Sequence, residues 1–174
     1  MAGHLAKQAS AVRVFNRTSA KASQWLEDYR DSPAACASAT TPRAAATDAD
    51  IVFVCVGNDD DVAEVVLGQE GALAGMSPGS LLIDHTTASQ ALAQKLGVAC
   101  NALSVGFLDA PVSGGQAGAE NGALTVMTGG ALDDYERAGP YFDCYAKKHA
   151  LRGDIGAGRR TKRVNQVCSA GVLQ

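Results

Sequence analysis

A chain of 174 residues, 47% apolar and 19% charged, has the length and composition of one folded domain with a sizeable core. Its net charge of −3, its 5% aromatic content and its lack of any nucleic-acid-binding motif argue against a nucleic-acid partner. No apolar run approaches the roughly 18 residues of a membrane helix. The opening MAGHLAKQAS lacks the apolar stretch and cleavage site of a secretory signal. The expected setting is therefore cytoplasmic, with no membrane partner. Five cysteines and three histidines are scattered without metal-ligand spacing, so no metal is expected. Cys55 and Cys168, set among aliphatic residues, are expected to be buried free thiols.

Taken in chain order, short β-branched runs alternate with helix-like segments. A strand is predicted over 12–15, a helix over 19–29, and an edge strand near Cys36. A strand over 51–56 precedes a helix over 59–67, in which Val62, Val65 and Val66 share one face. Next come a strand over 80–84 and a helix over 89–104, then strands over 107–110 and 124–128. A helix over 132–146 and a short strand near Ala150 follow. Ser19, Asp59 and Ser89 mark helix starts, where their side chains can accept bonds from free amides. The acidic run Asp59, Asp60 and Asp61 suits a helix opening, where the macrodipole favours negative charge. This alternation predicts an α/β domain with a parallel sheet covered by helices on both faces. The last 28 residues carry Lys147, Lys148, Arg152, Arg159, Arg160, Lys162 and Arg163 against Asp154 alone. They read as a solvated basic face or as an attractor for an anionic ligand.

In doubly wound sheets, ligands bind beyond the carboxyl ends of the strands. The first such end is Asn16-Arg17-Thr18. An NAD site usually offers a carboxylate there for the ribose hydroxyls. This chain offers Arg17, whose guanidinium suits a 2′-phosphate. The second end is Val56-Gly57-Asn58, where the glycine permits close backbone approach, and the third is Asp84-His85-Thr86-Thr87. A lone histidine at a strand end reads as structural. No G-x-G-x-x-G phosphate loop is present; Gly114, Gly115 and Gly118 have neither its spacing nor its place in the chain.

Four segments in order carry a family resemblance. DAPVSGGQAGAENGALTVMTGG over 109–130 resembles the substrate-site signature of the β-hydroxyacid dehydrogenases, which include 3-hydroxyisobutyrate dehydrogenase and tartronate semialdehyde reductase. FNRTSAKA over 15–22 is similar to that family's NADP-preferring second strand, and DHTTAS over 84–89 to its nicotinamide-side turn. GAGRRTKRVNQ over 156–166 resembles the opening of its catalytic helix. Met1 to Leu5 is similar to the first helix just past the glycine loop. The expectation is thus an incomplete doubly wound, Rossmann-type sheet lacking its first strand. Residues 1–155 would form the NADP-binding domain, and 156–174 the start of a long interdomain helix. A truncated or mis-called reading frame is expected, with the C-terminal helical domain of a homo-oligomeric full-length relative absent.

The resemblance implies hydride transfer between NADP(H), with NAD possible, and a small hydroxyacid or semialdehyde. Lys162 would be the general acid/base. Ser113 and Gly114 would hold the substrate carboxylate, and Thr87 would stand near the nicotinamide ribose. The family usually has Asn four residues after the lysine. Here that position is Gln166, with Asn165 before it, and both are candidates for substrate contact. Asn16, Arg17, Thr18, Val56, Gly57 and Asn58 complete the cofactor-binding set. Two alternatives stand beside this reading. One is a catalytically inactive remnant, or a binding module using the same fold. The other is a relative of 6-phosphogluconate dehydrogenase, which shares the architecture and a lysine base but needs a large helical domain.

Overall fold

Leu81, Leu82 and Ile83 are consecutive and fully buried, so both faces of their strand must be covered. The computed structural model describes residues 1–172, with side chains described through 167, so Cys168 lies outside them. Strand β4 (Leu81–Asp84) is the middle of a parallel trio with β3 (Ile51–Val54) and β5 (Gly106–Asp109). One face packs Leu82, Val54 and Phe107 against α4 (Asp59–Leu67), α5 (Gln90–Ala102) and a 3₁₀ turn (Ala72–Gly75). The other packs Leu81, Ile83 and Leu108 against Leu5 of α1 (Ala2–Leu5) and Ala138 and Phe142 of α7 (Leu132–Phe142). Each fully buried Leu or Ile contributes about 1.5–3 kcal/mol, so this trio forms the stable centre.

Beyond β5 the sheet departs from the expected parallel order. Strand β7 (Leu124–Gly130) runs antiparallel to β5 and to the two-residue β6 (Val112–Ser113), and β8 (Ala146–Leu151) pairs parallel on its other edge. The link from β5 to β7 holds only β6 and the six-residue α6 (Gly115–Glu120). A reversal needs no long crossover, so this short link suffices. The helix predicted to reach residue 146 ends at Phe142 instead. A turn there buries Tyr145 and frees the chain at Ala146 to pair with β7.

At the amino-terminal side, β1 (Ala11–Val14) pairs in parallel with β2 (Ala35–Ser38) as a separate two-stranded sheet. Helices α2 (Ser19–Asp28) and α3 (Pro42–Ala46) accompany it; the latter is one the periodicity of the sequence does not show. Among the described residues, β1 and β3 share no ladder, so each has one unpaired edge. Cys55 lies just past the end of β3 on this open side and is exposed, correcting the expectation of a buried thiol.

Candidate active site

The carboxyl ends of β4 and β5 carry Asp84 and Asp109 at the same register. Both are fully buried, and each is turned to the first turn of α8 (Ala157–Val172). Asp109 accepts from the backbone amides of Gly156 (2.5 Å) and Arg159 (2.9 Å), which caps the helix. Asp84 is ion-paired to the Arg159 guanidinium, which also donates to the Ser89 carbonyl. Burial pushes both carboxyls up from the usual range. Arg159 pulls Asp84 back, and the two amides pull Asp109 back. The glycines here have separate physical reasons. Gly156 sits at φ +94°, and a Cβ on Gly158 would fall against the carbonyl oxygens of Met127 and Asp109.

This fastening sets the face of α8 that matters. Arg159, Lys162, Arg163 and Gln166 line one cleft of about 350 Å³, closed on the other side by Asp59, Thr87, Ala88, Ser89 and Pro111. Lys162 is half-buried there. Asn165 lies round the helix with Arg160, Thr161 and Val164, away from the cleft. Of the two amide candidates, Gln166 therefore shares the lysine's face. With Arg159 neutralised by Asp84, Arg163 and a protonated Lys162 outweigh Asp59 by one positive charge, which suits a small anion.

Thr87 is exposed in the cleft and is not a helix cap; that task falls to Ser89, whose hydroxyl accepts from the Leu92 amide at 3.1 Å. Asp59 crosses from α4 to take both the amide and the hydroxyl of Ser89, and the Ser89 hydroxyl holds its carboxyl below the usual range. Ser113 ends β6 and Gly114 precedes α6; neither borders the cleft, which their chain neighbour Pro111 does. The helix after Gly114 is six residues long, so it adds little dipole for a carboxylate.

The other two strand ends are tied into the fold. Asn16 Oδ1 accepts from the Thr18 amide at 2.9 Å, shaping the turn into α2, and Thr18 is that helix's N-cap. The Val56 amide donates to Thr86 Oγ1 at 3.1 Å, joining the ends of β3 and β4. Asn58 caps α4, accepting from the Asp61 amide, so the acids Asp59 to Asp61 lie in the first turn without capping it. Arg17, 60% exposed, is paired through Nη1 with Asp61 at 2.7 Å. Asp59, Asp61, Asp84, Asp109 and Arg159 were not singled out as site residues from sequence. The acids' one visible signal is their place at strand ends and at a helix start, and that of Arg159 is its place in the basic run.

Residues 1–154 match the family model described as the NAD binding domain of 6-phosphogluconate dehydrogenase. An uncharacterized oxidoreductase of Shewanella frigidimarina is 53% identical over 174 residues, which is all of this chain and 58% of that protein. A probable 3-hydroxyisobutyrate dehydrogenase-like protein of Arabidopsis thaliana is 37% identical over 99% of this chain and 50% of its own length. The structure of Mycobacterium tuberculosis 3-hydroxyisobutyrate dehydrogenase with L-serine superposes with a TM-score of 0.88 at 28% identity. That match covers 97% of this chain and 55% of the other. The chain thus spans between half and three-fifths of the length of these relatives. No helix among the described residues is long and apolar enough to cross a membrane. Its strand order, its cleft at the strand ends and these matches agree: the chain belongs to the oxidoreductase family built on the NAD-binding domain of 6-phosphogluconate dehydrogenase, among relatives named 3-hydroxyisobutyrate dehydrogenase.

Proposed function

We propose that these residues serve a cytoplasmic enzyme that moves a hydride between NADP(H) and a small hydroxyacid or semialdehyde. Residues 1–155 would be its nucleotide-binding domain, and 156–174 would open its catalytic helix. The observation that carries the reading is the shared cleft of Lys162, Gln166 and Thr87 at the strand ends. NADP(H), when bound, supplies or accepts the hydride. The neutral amine of Lys162 would take the hydroxyl proton on Nζ during oxidation, and its ammonium form would return a proton during reduction. Gln166, one turn further along the same face, orients the substrate oxygen, while Arg163 favours an anionic substrate. Ser113 and Gly114, on the β6–α6 turn outside the cleft, would meet the carboxylate only where the substrate extends past Pro111, and Thr87 stands beside the nicotinamide ribose. At the far end Arg17 binds the 2′-phosphate, with Asn16, Thr18, Val56, Gly57 and Asn58 forming the surrounding backbone.

The test is Lys162→Ala in an active protein carrying these residues, assayed with a panel of small hydroxyacids. Turnover should fall roughly 10²–10⁴-fold with nucleotide affinity unchanged. Turnover kept within a factor of a few would reduce Lys162 to a surface charge. A second reading, a nucleotide-fold module without turnover, is favoured by the open edges of β1 and β3. It predicts nucleotide binding that no hydroxyacid converts to product.

A further inference from the structure

We propose that Asp61 sets how strongly this chain prefers a 2′-phosphorylated nucleotide over its unphosphorylated counterpart. The inference rests on the reading of Arg17 as the phosphate-side residue. The chain after β1 offers no carboxylate, yet the fold brings one from α4, with Asp61 Oδ1 2.7 Å from Arg17 Nη1. The three acids that open α4 have different destinations. Asp59 is held by Ser89, Asp60 is exposed, and Asp61 turns to Arg17.

Asp61 is the fixed member of the pair. Its amide is held by Asn58 Oδ1 at 2.9 Å, and its side chain is 16% exposed against 60% for Arg17. Its second oxygen, Oδ2, lies over Gly57, where a Cβ would come within 2.6 Å, so the glycine makes room for the carboxylate. A guanidinium and a carboxylate therefore stand together where the ribose end of a nucleotide would arrive. The two pull in opposite directions. Arg17 donates charge-assisted bonds to a phosphate, whereas Asp61 occupies one of those donors and repels the incoming charge. An unphosphorylated ribose presents a 2′-hydroxyl, which can donate to Asp61. Arg17 thus raises the preference for the phosphate, and Asp61 caps it.

The experiment is an NMR titration of the 174-residue chain at fixed ionic strength, which reads millimolar affinities. The probes are adenosine 2′,5′-bisphosphate and adenosine 5′-monophosphate. Because both are measured on the same sample, their affinity ratio cancels any general loss of folded protein. Asp61→Asn should raise the ratio about fivefold to tenfold, the scale of one like-charge contact near the surface. Asp61→Ser, which also removes the charge, should move it the same way, and Arg17→Ala should lower it. If Arg17→Ala lowers the ratio while both Asp61 variants leave it unchanged, Arg17 binds the phosphate and the role of Asp61 is overturned. If Arg17→Ala leaves the ratio unchanged, the reading of Arg17 fails and takes the inference with it. A wild-type chain that binds neither probe overturns both.

Discussion

His85 stands at a strand end between Asp84 and two threonines, where a catalytic base would attract attention, yet its surroundings make it a structural group. It is 2% exposed, ringed by Phe53 and Phe142 at 5.9 and 6.0 Å between ring centres. Its Nδ1 donates to the Ala110 carbonyl, which can only accept, so Nε2 is left to accept from the Tyr145 hydroxyl at 2.7 Å. Burial lowers its pKa from 6.5 to about 4. A depressed histidine stabilises the fold above its unfolded pKa and loses that contribution as pH falls through the folded value. Between pH 6.5 and about 4 the loss should amount to about 3 kcal/mol. Asp84 and Asp109, raised by burial, have the opposite slope, and a His85→Gln variant shares it. Urea titrations of wild type and variant should therefore show a stability gap that narrows by about 3 kcal/mol on going from neutral pH to pH 4. A gap that stays constant would show that His85 is not held neutral.

Helix α8 owes its placement to contacts that bridge distant parts of the chain. The Gly156 and Gly158 spacing was legible in the sequence, and the reasons for both glycines are local: a positive φ and a close approach. The Arg159–Asp84 pair was not legible, because 75 residues separate its members and only the strand order brings them together. The choice between Asn165 and Gln166 was equally closed to sequence. Positions three and four residues on from Lys162 both fall near its face of a 3.6-residue helix, and only the docking angle separates them. Arg159→Met would leave Asp84, which has no exposed surface, without its counter-charge and should cost about 3–5 kcal/mol. Asp84 would then rise further, so the loss should grow as pH climbs through its raised value and shrink in acid. Adding Asp84→Asn should recover part of it. Equal stability of Arg159→Met and wild type in denaturant titrations at neutral pH would contradict the buried pair.

Across the whole molecule, strand–helix alternation revealed the α/β class and most elements, because buried strands and amphipathic helices leave different periodicities. It did not reveal the reversal of β7, since an apolar run reads the same in either direction. Between β1 and β3 one side stays open, since among the described residues no strand lies between them. Val12, Ile51 and Phe53 reach the core from that side but are only partly buried. Ladder groups there must find water, and each one left buried and unpaired costs about 1–3 kcal/mol against a total domain stability of about 5–15 kcal/mol. The 174 residues contain no glycine loop opening a helix N-terminus, the usual anchor for a nucleotide pyrophosphate. On the proposed reading, Arg17 and the cleft at Lys162 would hold the two ends of a dinucleotide, with no such loop among these residues for its middle. Calorimetry on monodisperse protein of these 174 residues should accordingly give an NADPH dissociation constant well above the micromolar range, with no turnover. Micromolar affinity would mean that the strand ends of β3 and β4, through Gly57 and Thr87, anchor the cofactor without a phosphate loop.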